Sequence, residues 1–484
     1  MDIYFSDVFS IDESLLEEYG ALNISLLCDM PLFVDPFLLY ASEKKEYNEL
    51  HNSIIKYIKF LQEKAKDNLS EENIRRWYTF PEVKQNWLGY SQTGNAGQGL
   101  GIGFASMASK QILTAFAHSE HGKITETLHL EKLSLFDKGI GRDNISDFAC
   151  NLIKQYLLEY TEKFATKYID KSQCKTVSVE KVYFDYQTEA WRSKTFTLPY
   201  HNEDYVILTP KAILTKDETW INAKEIRTRF LDIVKSYPND TTRNLINELY
   251  QKELKGLDTI KARNEASEKV IRQHPELIDY YIRLKEKEKE LAKNNSINVI
   301  LETEAFFVNN AKLLAAATQD YTPDKTRSSK EEARARVQFL KSFIEDKDGY
   351  RLFYHNGQAI QKEHNLQLLF KLCWYNSSWD VNAEVNNGRG PVDFKVSKGS
   401  GDSTLVEFKL ASNTKLKQNL QFQVDTYQKA NDTNNSVKVI LYFSDKELEK
   451  VNKTLREIGS TGSEDIILID ARNNKTSASN VKSL

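Results

Sequence analysis

The residues best suited to do chemistry lie in one short stretch, residues 384–409, which reads EVNNGRGPVDFKVSKGSGDSTLVEFK. Two apolar runs, VDFKV and TLVEFK, flank a turn rich in Gly and Ser, and this pattern predicts a β-hairpin. Because side chains alternate along a strand, Glu407 and Lys409 share one face while Phe408 turns to the other. Asp393 belongs to the neighbouring strand and is expected opposite them. Two carboxylates and a lysine would then converge at one end of the hairpin.

Such a group of side chains suits metal-dependent cleavage of phosphodiesters. Mg²⁺ is usually held by one or two carboxylates together with waters and substrate phosphate. The bound ion polarises the phosphodiester and lowers the pKa of a bound water. A lysine beside it can orient that water or neutralise the charge that develops on the phosphate. The same three residues would also suit the exposed polar face of an ordinary hairpin, and their spacing alone leaves both interpretations open.

A family resemblance favours the first interpretation. GPVDF followed by VEFK resembles the motif of the PD-(D/E)xK, or restriction-endonuclease-like, nuclease superfamily. Pro391 and Asp393 match its first half, with Pro-Val-Asp in place of Pro-Asp, and Glu407-Phe408-Lys409 match its second half. A helix-like segment at 363–372 (EHNLQLLFKL) precedes the hairpin and begins with an acid. The segment KLKQNLQFQVDTYQKA follows it and matches the Q-x-x-x-Y element of some of these nucleases.

The resemblance implies a role for each matched residue. Mg²⁺ or Mn²⁺ would be held by two carboxylates and one backbone carbonyl, those of Asp393, Glu407 and Phe408. Lys409 would position the attacking water, and Glu363 would contact the ion or its waters. Gln423 and Tyr427 would lie on a helix beside the site and steady Lys409 or the substrate backbone. The implied activity is hydrolysis of nucleic acid, with DNA as the expected substrate, in bacterial restriction or antiphage defence.

Two other function classes remain open at this stage. The domain could be a nucleic-acid-binding or sensor module that keeps the fold as an inactive or regulated effector. Alternatively, the first 240 residues could be the working part and the nuclease their effector. The expected partners are nucleic acid and either a second copy of the chain or a protein from the same defence operon.

The elements that would position the site follow in the order that the superfamily requires. After the hairpin, VKVILYF and DIILIDA read as buried strands, and DKELEKVNKTLREI between them reads as a helix. The predicted fold class is mixed α/β, with a C-terminal α-β-β-β-α-β core at residues 326–484. A charged helical connector is predicted at 239–325, and DYTPDKTRSS, residues 320–329, has the composition of a linker.

The region 1–238 is predicted to be an α+β domain. Alternating leucines at 128–135 indicate one or two strands, and Asp143 is the expected N-cap of the helix that follows. Short β-like runs fill residues 176–221. The glycine-rich stretch 94–103 lacks the Gly-Lys-Ser/Thr of a phosphate-binding loop, so a flexible loop is expected there. His118 and His121 are interpreted as solvated residues at a helix end, because no third metal ligand lies near them in the sequence.

Composition limits the remaining possibilities. The 484 residues carry a net charge of −3, which permits a nucleic-acid substrate without arguing for one. The four cysteines are scattered and form no C-x-x-C pair, a pattern typical of a reducing compartment. The chain has no apolar run long enough to span a bilayer, and its first residues lack a signal pattern. We therefore expect a cytoplasmic protein with no membrane partner.

Overall fold

The fold is described here from a computed structural model. It describes residues 4–26, 29–67, 69–89, 99–116, 125–136, 139–216, 218–257, 259–319, 321, 326–347, 349–355, 358–359, 363–374, 377, 379–386, 391–399, 401–423, 433 and 435–474. Within these ranges only the backbone is described at 305–319, 352, 355, 358, 363–365, 368, 383–386, 391–392 and 422–423. Residues 94–98 of the glycine-rich stretch, residues 320 and 322–325 of the predicted linker, His118 and His121 lie outside the described residues. At the other end of the glycine-rich stretch, Leu100 bridges to Phe80 and a helix begins at Ile102.

The chain divides into two compact units, Asp2–Glu302 and Thr303–Leu484. The first unit is mainly helical, with helices at Phe5–Val8, Glu13–Tyr19, Pro36–Ala41, Lys45–Ala65, Glu71–Tyr78, Ile102–Phe116, Lys132–Phe136, Arg142–Leu152, Lys154–Tyr168, Ala223–Thr228, Phe230–Lys235, Asp240–Leu254, Ile260–Gln273 and Glu276–Glu286. A further helix, Lys289–Gln319, spans the division. None of the helices that the structure describes is long and apolar enough to cross a bilayer.

The β-structure of the first unit is dominated by one long antiparallel hairpin, Cys174–Asp185 with Ala190–His201, extended by Asp204–Tyr205. Two short strands, Phe33–Val34 and Leu214–Thr215, pair separately. The strands predicted within 176–221 are therefore confirmed in their main part. The charged helices after residue 239 share an apolar cluster with Phe37 and Phe230, so their buried faces complete a core in this unit.

Two local predictions in the first unit are wrong. The leucine-rich run 128–135 forms a short helix, Lys132–Phe136, and not strands. The segment that precedes this run is held by a residue distant in sequence, because the Glu286 carboxylate accepts the backbone N–H groups of Glu126 and Thr127. The helix Arg142–Leu152 begins two residues earlier than predicted, so Gly141 is the N-cap and Asp143 lies in the first turn.

The second unit contains a five-stranded mixed sheet, and we number its main elements separately. They are α1 (Ser329–Asp346), α2 (Glu363–Leu372), β1 (Asp380–Asn386), β2 (Pro391–Ser397), β3 (Ser403–Leu410), α3 (Leu416–Gln418), β4 (Asn435–Tyr442), α4 (Asp445–Glu457) and β5 (Ile466–Asp470). A π-helical turn, Asn419–Gln423, continues α3. Smaller elements are a 3₁₀ turn at Gly349–Phe353 and a two-residue hairpin, Tyr354–His355 with Gln358–Ala359.

The strands lie in the order β5-β4-β3-β2-β1. Strands β1, β2 and β3 are antiparallel neighbours, whereas β3, β4 and β5 are parallel. The predicted α-β-β-β-α-β order and the mixed α/β class are therefore confirmed. The centre of the arrangement is β3, which has an antiparallel partner on one side and a parallel partner on the other.

Alternation along the strands separates an apolar face from a face with polar residues. Phe394, Val406 and Phe408 are almost fully buried on one face, where Phe370 of α2 contacts both phenylalanines. Helix α1 packs on the same face, since the Ser329 hydroxyl lies 2.7 Å from that of Thr404. On the other face, β4 is covered by a second cluster that includes Leu420 of the π-helical turn and residues of α4.

Helix α1 also fixes the hairpin that carries the candidate residues. Ser328 caps α1 in a capping box with Glu331, which satisfies N–H groups at the start of the helix. The next residue, Ser329, donates its N–H and its hydroxyl to the Asp402 carboxylate in the turn between β2 and β3. Because Ser329 is fully buried, these bonds hold the turn firmly against the helix.

Candidate metal and phosphodiester site

The structure places Glu407 and Lys409 on the same face of β3. Between them, Phe408 points into the apolar core and contacts Phe370 and Phe394. The hydrophobic effect thus fixes which way Phe408 turns, and the strand geometry then directs its two neighbours to the opposite face. Burial of Phe408 therefore places the side chains of Glu407 and Lys409 together on the opposite face of the sheet.

Asp393 reaches the same place from β2. The last registered pairs are Leu405 with Lys395 and Val406 with Phe394, so continuing the register sets Asp393 opposite Glu407. The Asp393 Oδ2 atom accepts the backbone N–H of Phe408 at 2.6 Å. The N–H and C=O groups of a strand residue point to the same side, so the Phe408 carbonyl also faces β2. Two carboxylates and one backbone carbonyl therefore meet at this end of the hairpin.

Lys409 lies between the two acids. Its Nζ atom is 3.1 Å from Glu407 Oε2 and 3.7 Å from Asp393 Oδ2. Glu407 is 4% exposed and Lys409 is 9% exposed, which rules out an ordinary solvated hairpin face. Glu407 Oε1 is buried and has no hydrogen-bond partner among the described residues. An unsatisfied buried carboxylate oxygen has a destabilising effect unless another group binds it.

Burial changes the acidity of Glu407. The pKa of this carboxyl is raised from an ordinary value of 4.5 to about 8, first by burial and second by the negative charge of Asp393. The positive charge of Lys409 and its hydrogen bond act in the opposite direction. A cation bound between the acids would oppose both raising effects, since it supplies the positive charge that the buried site lacks.

The donor set fits Mg²⁺ or Mn²⁺ better than a metal that requires a full protein cage. Among the side chains that the structure describes, no three His, Cys, Asp or Glu residues form a group that could hold a metal ion. Mg²⁺ commonly takes only one or two carboxylates and fills its other positions with water and phosphate oxygens. Asp393 and Glu407 with the Phe408 carbonyl meet that requirement, and the orphaned Glu407 Oε1 supplies a free ligand atom.

A residue that the sequence analysis missed also borders the site. Lys438 of β4 pairs in register with Glu407, so both side chains lie on the same face of the sheet. Its Nζ atom donates to the Leu420 carbonyl of the π-helical turn at 2.9 Å. Glu407, Lys409, Asn419, Leu420 and Lys438 border a cavity of about 10 Å³, close to the smallest volume that holds one water.

The sequence contained only part of the signal for Lys438. Its strand VKVILYF was recognised, and Lys438 is the one charged residue within that apolar run. Its pairing with Glu407 depends on a parallel register between strands that are distant in sequence, which no local pattern specifies.

The other three predicted residues are placed only in part. Glu363 begins α2, as predicted, and its side chain lies outside the described residues. Gln423 ends the π-helical turn, and only its backbone is described. Tyr427 lies outside the described residues. The structure therefore brings together Asp393, Glu407, Phe408 and Lys409, and the roles of the remaining three stay predictions.

Comparison with known proteins gives two matches to family models. Residues 10–222 match a domain of unknown function, DUF8370, and residues 329–445 match a second one, DUF8371. The second match begins at the first residue of α1 and includes all four residues that meet at the site. Neither description names an activity or assigns a nuclease family. No curated protein and no solved structure matches the chain.

Proposed function

We propose that the second unit is a metal-dependent nuclease that hydrolyses phosphodiester bonds, with DNA as its principal substrate and bacterial restriction or antiphage defence as its setting. The observation that carries this proposal is the convergence of Asp393, Glu407 and Lys409 on one buried face. Its support from the wider structure is the α-β-β-β-α-β order around them, which agrees with the PD-(D/E)xK resemblance. A fold alone does not define an activity, whereas the side chains of a site can.

Each residue has a distinct task in this proposal. Asp393, Glu407 and the Phe408 carbonyl would hold Mg²⁺ or Mn²⁺, which when bound supplies Lewis-acid activation of the phosphodiester and of a water. The Phe408 N–H fixes the Asp393 carboxylate through its hydrogen bond. Lys409 lies within hydrogen-bond distance of Glu407, where it can orient a water and stabilise negative charge that develops on the phosphate.

The deciding experiment compares the wild type with Glu407→Gln, which keeps the size of the side chain and removes its charge. Plasmid DNA, single-stranded DNA and RNA are incubated with each protein in Mg²⁺, in Mn²⁺ and in chelator. We expect metal-dependent cleavage by the wild type, and at least about a 10²-fold loss in the variant, since one catalytic electrostatic group is removed. Calorimetry should show that Glu407→Gln also binds Mn²⁺ more weakly.

A matched control is Glu449→Gln on α4, because Glu449 is an exposed acid outside the group of converging residues. It should cleave and bind Mn²⁺ like the wild type. Cleavage by Glu407→Gln at the wild-type rate would refute the assignment. Nucleic-acid binding by the wild type without cleavage in either metal would instead identify an inactive or regulated binding module.

A further inference from the structure

The face of the sheet that carries the carboxylates also carries a third lysine, Lys395 of β2. It lies two residues beyond Asp393, while Phe394 and Val396 on either side of it are buried in the apolar core. Two strand residues advance roughly 6.6–6.8 Å, so Lys395 is one repeat of the strand away from the site. Its registered neighbours are Asn382 on β1 and Leu405 on β3, neither of which carries a charge.

The three lysines on this face differ in what they contact. Lys409 contacts the two carboxylates, and Lys438 donates to the Leu420 carbonyl. Across the part of the chain that the structure describes, the side chain of Lys395 makes neither a hydrogen bond nor an ion pair, and the residue is only half-buried. Its stem therefore lies on the sheet while its ammonium group is available to a ligand.

The position of Lys395 suits the binding of a substrate that carries several phosphates. Asp393, and Glu407 in its ionised form, would repel a polyanion that approaches this face, and a cation next to them reduces that repulsion. A lysine offers three donors on a flexible stem, which suits a contact to a phosphate oxygen that needs no particular geometry. Such contacts place a nucleic-acid backbone without reading its sequence.

We propose that Lys395 is a substrate-binding residue that contacts a backbone phosphate beside the scissile one. This inference rests on the proposed nuclease function and adds to it a sequence-independent contact on the β1 side of the carboxylates. It distinguishes Lys395 from Lys409, which acts at the reacting phosphate, and from Lys438, which holds the π-helical turn.

The test measures how nucleic-acid binding depends on salt. Fluorescence anisotropy with a mixed-sequence single strand and a duplex is recorded in chelator, so that no cleavage occurs, between 50 and 200 mM salt. For Lys395→Met we expect about fivefold weaker binding at low salt and a slope of log K against log[salt] that is less negative by about 0.7–0.9, the value for one lost phosphate contact. With Mg²⁺ present, KM should rise while kcat stays unchanged.

Two further variants separate charge from structure. Lys395→Arg keeps the positive charge and should keep the wild-type salt slope. Lys347→Met removes an exposed lysine at the C-cap of α1, which packs on the apolar face of the sheet, and it should also keep the slope. Thermal melting of each variant checks that the fold is intact.

Each outcome decides one of the two proposals. A reduced slope in Lys395→Met alone supports the phosphate contact. An unchanged slope in a wild type that binds and cleaves DNA overturns the role of Lys395 and leaves the nuclease proposal standing. A wild type that neither binds nor cleaves any nucleic acid overturns both.

Discussion

Glu407 is an acid in a place where its charged form is costly. Its carboxyl group is buried beside Asp393, and one of its oxygens has no partner among the described residues. Lys409 compensates only part of this cost, because the pKa of Glu407 still rises to about 8. Buried carboxylates whose negative charge is only partly compensated are common in cation-binding sites, because the bound metal supplies the missing positive charge.

The raised pKa makes stability depend on pH in a defined direction. The neutral form of Glu407 favours the folded state, so its contribution is complete below about pH 4.5 and disappears as the pH rises through about 8. We expect urea unfolding without metal to show a fall in stability across that window that Glu407→Gln lacks. The fall should be up to about 5 kcal/mol, because the window from 4.5 to about 8 spans about 3.5 pH units and each corresponds to about 1.4 kcal/mol.

Metal binding should depend on the same titration of Glu407, but its affinity should increase with pH where the stability of the metal-free protein decreases. The ligand form of Glu407 is the carboxylate, so Mn²⁺ must displace a proton below about pH 8, and its affinity should rise with pH up to that value. Calorimetry in buffers of different ionisation enthalpy would count the released proton. Identical pH profiles for the wild type and Glu407→Gln would show that Glu407 does not titrate in this range.

Lys409 can be tested by removing its charge while keeping its bulk. Lys409→Met leaves the buried Glu407 and the partly buried Asp393 without their cation, so stability at pH 8 should fall by about 1–3 kcal/mol and turnover by at least about 10²-fold. Denaturant unfolding and single-turnover cleavage measure these two effects. An ordinary strand lysine would change stability by less than about 0.5 kcal/mol, as we expect for the exposed Lys453→Met control on α4.

At the level of elements, the π-helical turn Asn419–Gln423 stands beside the site and is held by one side chain. Lys438 donates to the Leu420 carbonyl, and Leu420 itself is packed in the cluster with α4. Single π-helical turns occur frequently at functional sites. The turn is therefore an element whose local stability should depend on Lys438.

Hydrogen exchange can detect that dependence. In Lys438→Met, amides within Asn419–Gln423 should exchange faster, while amides in β3 and α1 keep their wild-type protection, because only a local contact is lost. The exposed Lys453→Met variant should leave both regions unchanged. Uniformly faster exchange across the second unit would mean instead that Lys438 supports the whole fold.

The sequence predicted those elements whose signals are local. The hairpin and the helices at 363–372 and 445–457 follow from alternation, turn residues and helical periodicity, and all are present. The strands predicted from the leucines at 128–135 are absent, and the segment before them is held by a distant residue, since the Glu286 carboxylate accepts the N–H groups of Glu126 and Thr127. The Lys438–Glu407 pairing was missed for a similar reason, since parallel register is a property of the assembled sheet.

At the scale of the whole molecule, each of the two units has its own buried core. Glu286 is an anchor of the first unit, since its buried carboxylate accepts two backbone N–H groups and lies 3.0 Å from His129 Nε2. Glu286→Ala should destabilise that unit by about 2–4 kcal/mol, because buried donors lose a charged acceptor. Thermal unfolding monitored by hydrogen exchange in each unit would show which unit is destabilised.

The same variant tests whether the first unit takes part in cleavage. If the second unit is sufficient for chemistry, Glu286→Ala should cleave DNA at the wild-type rate at temperatures where the first unit has unfolded and the second unit has not. Glu248→Ala, at an exposed site in the same unit, serves as the matched control. Loss of cleavage in Glu286→Ala alone would show that the first unit contributes to the reaction or controls it.

The connections around β3 also imply an order of events during folding. Strands β2 and β3 are joined by a short turn at residues 398–402, whereas β3 reaches β4 only through residues 411–434. Closing the short turn costs less chain entropy, and hairpins form within microseconds. We therefore expect Asp393 and Glu407 to meet early, while they are still open to water, and the strand that brings Lys438 to pair afterwards. Divalent ions in the surrounding solution can reach the acids during that interval, before the neighbouring elements enclose them.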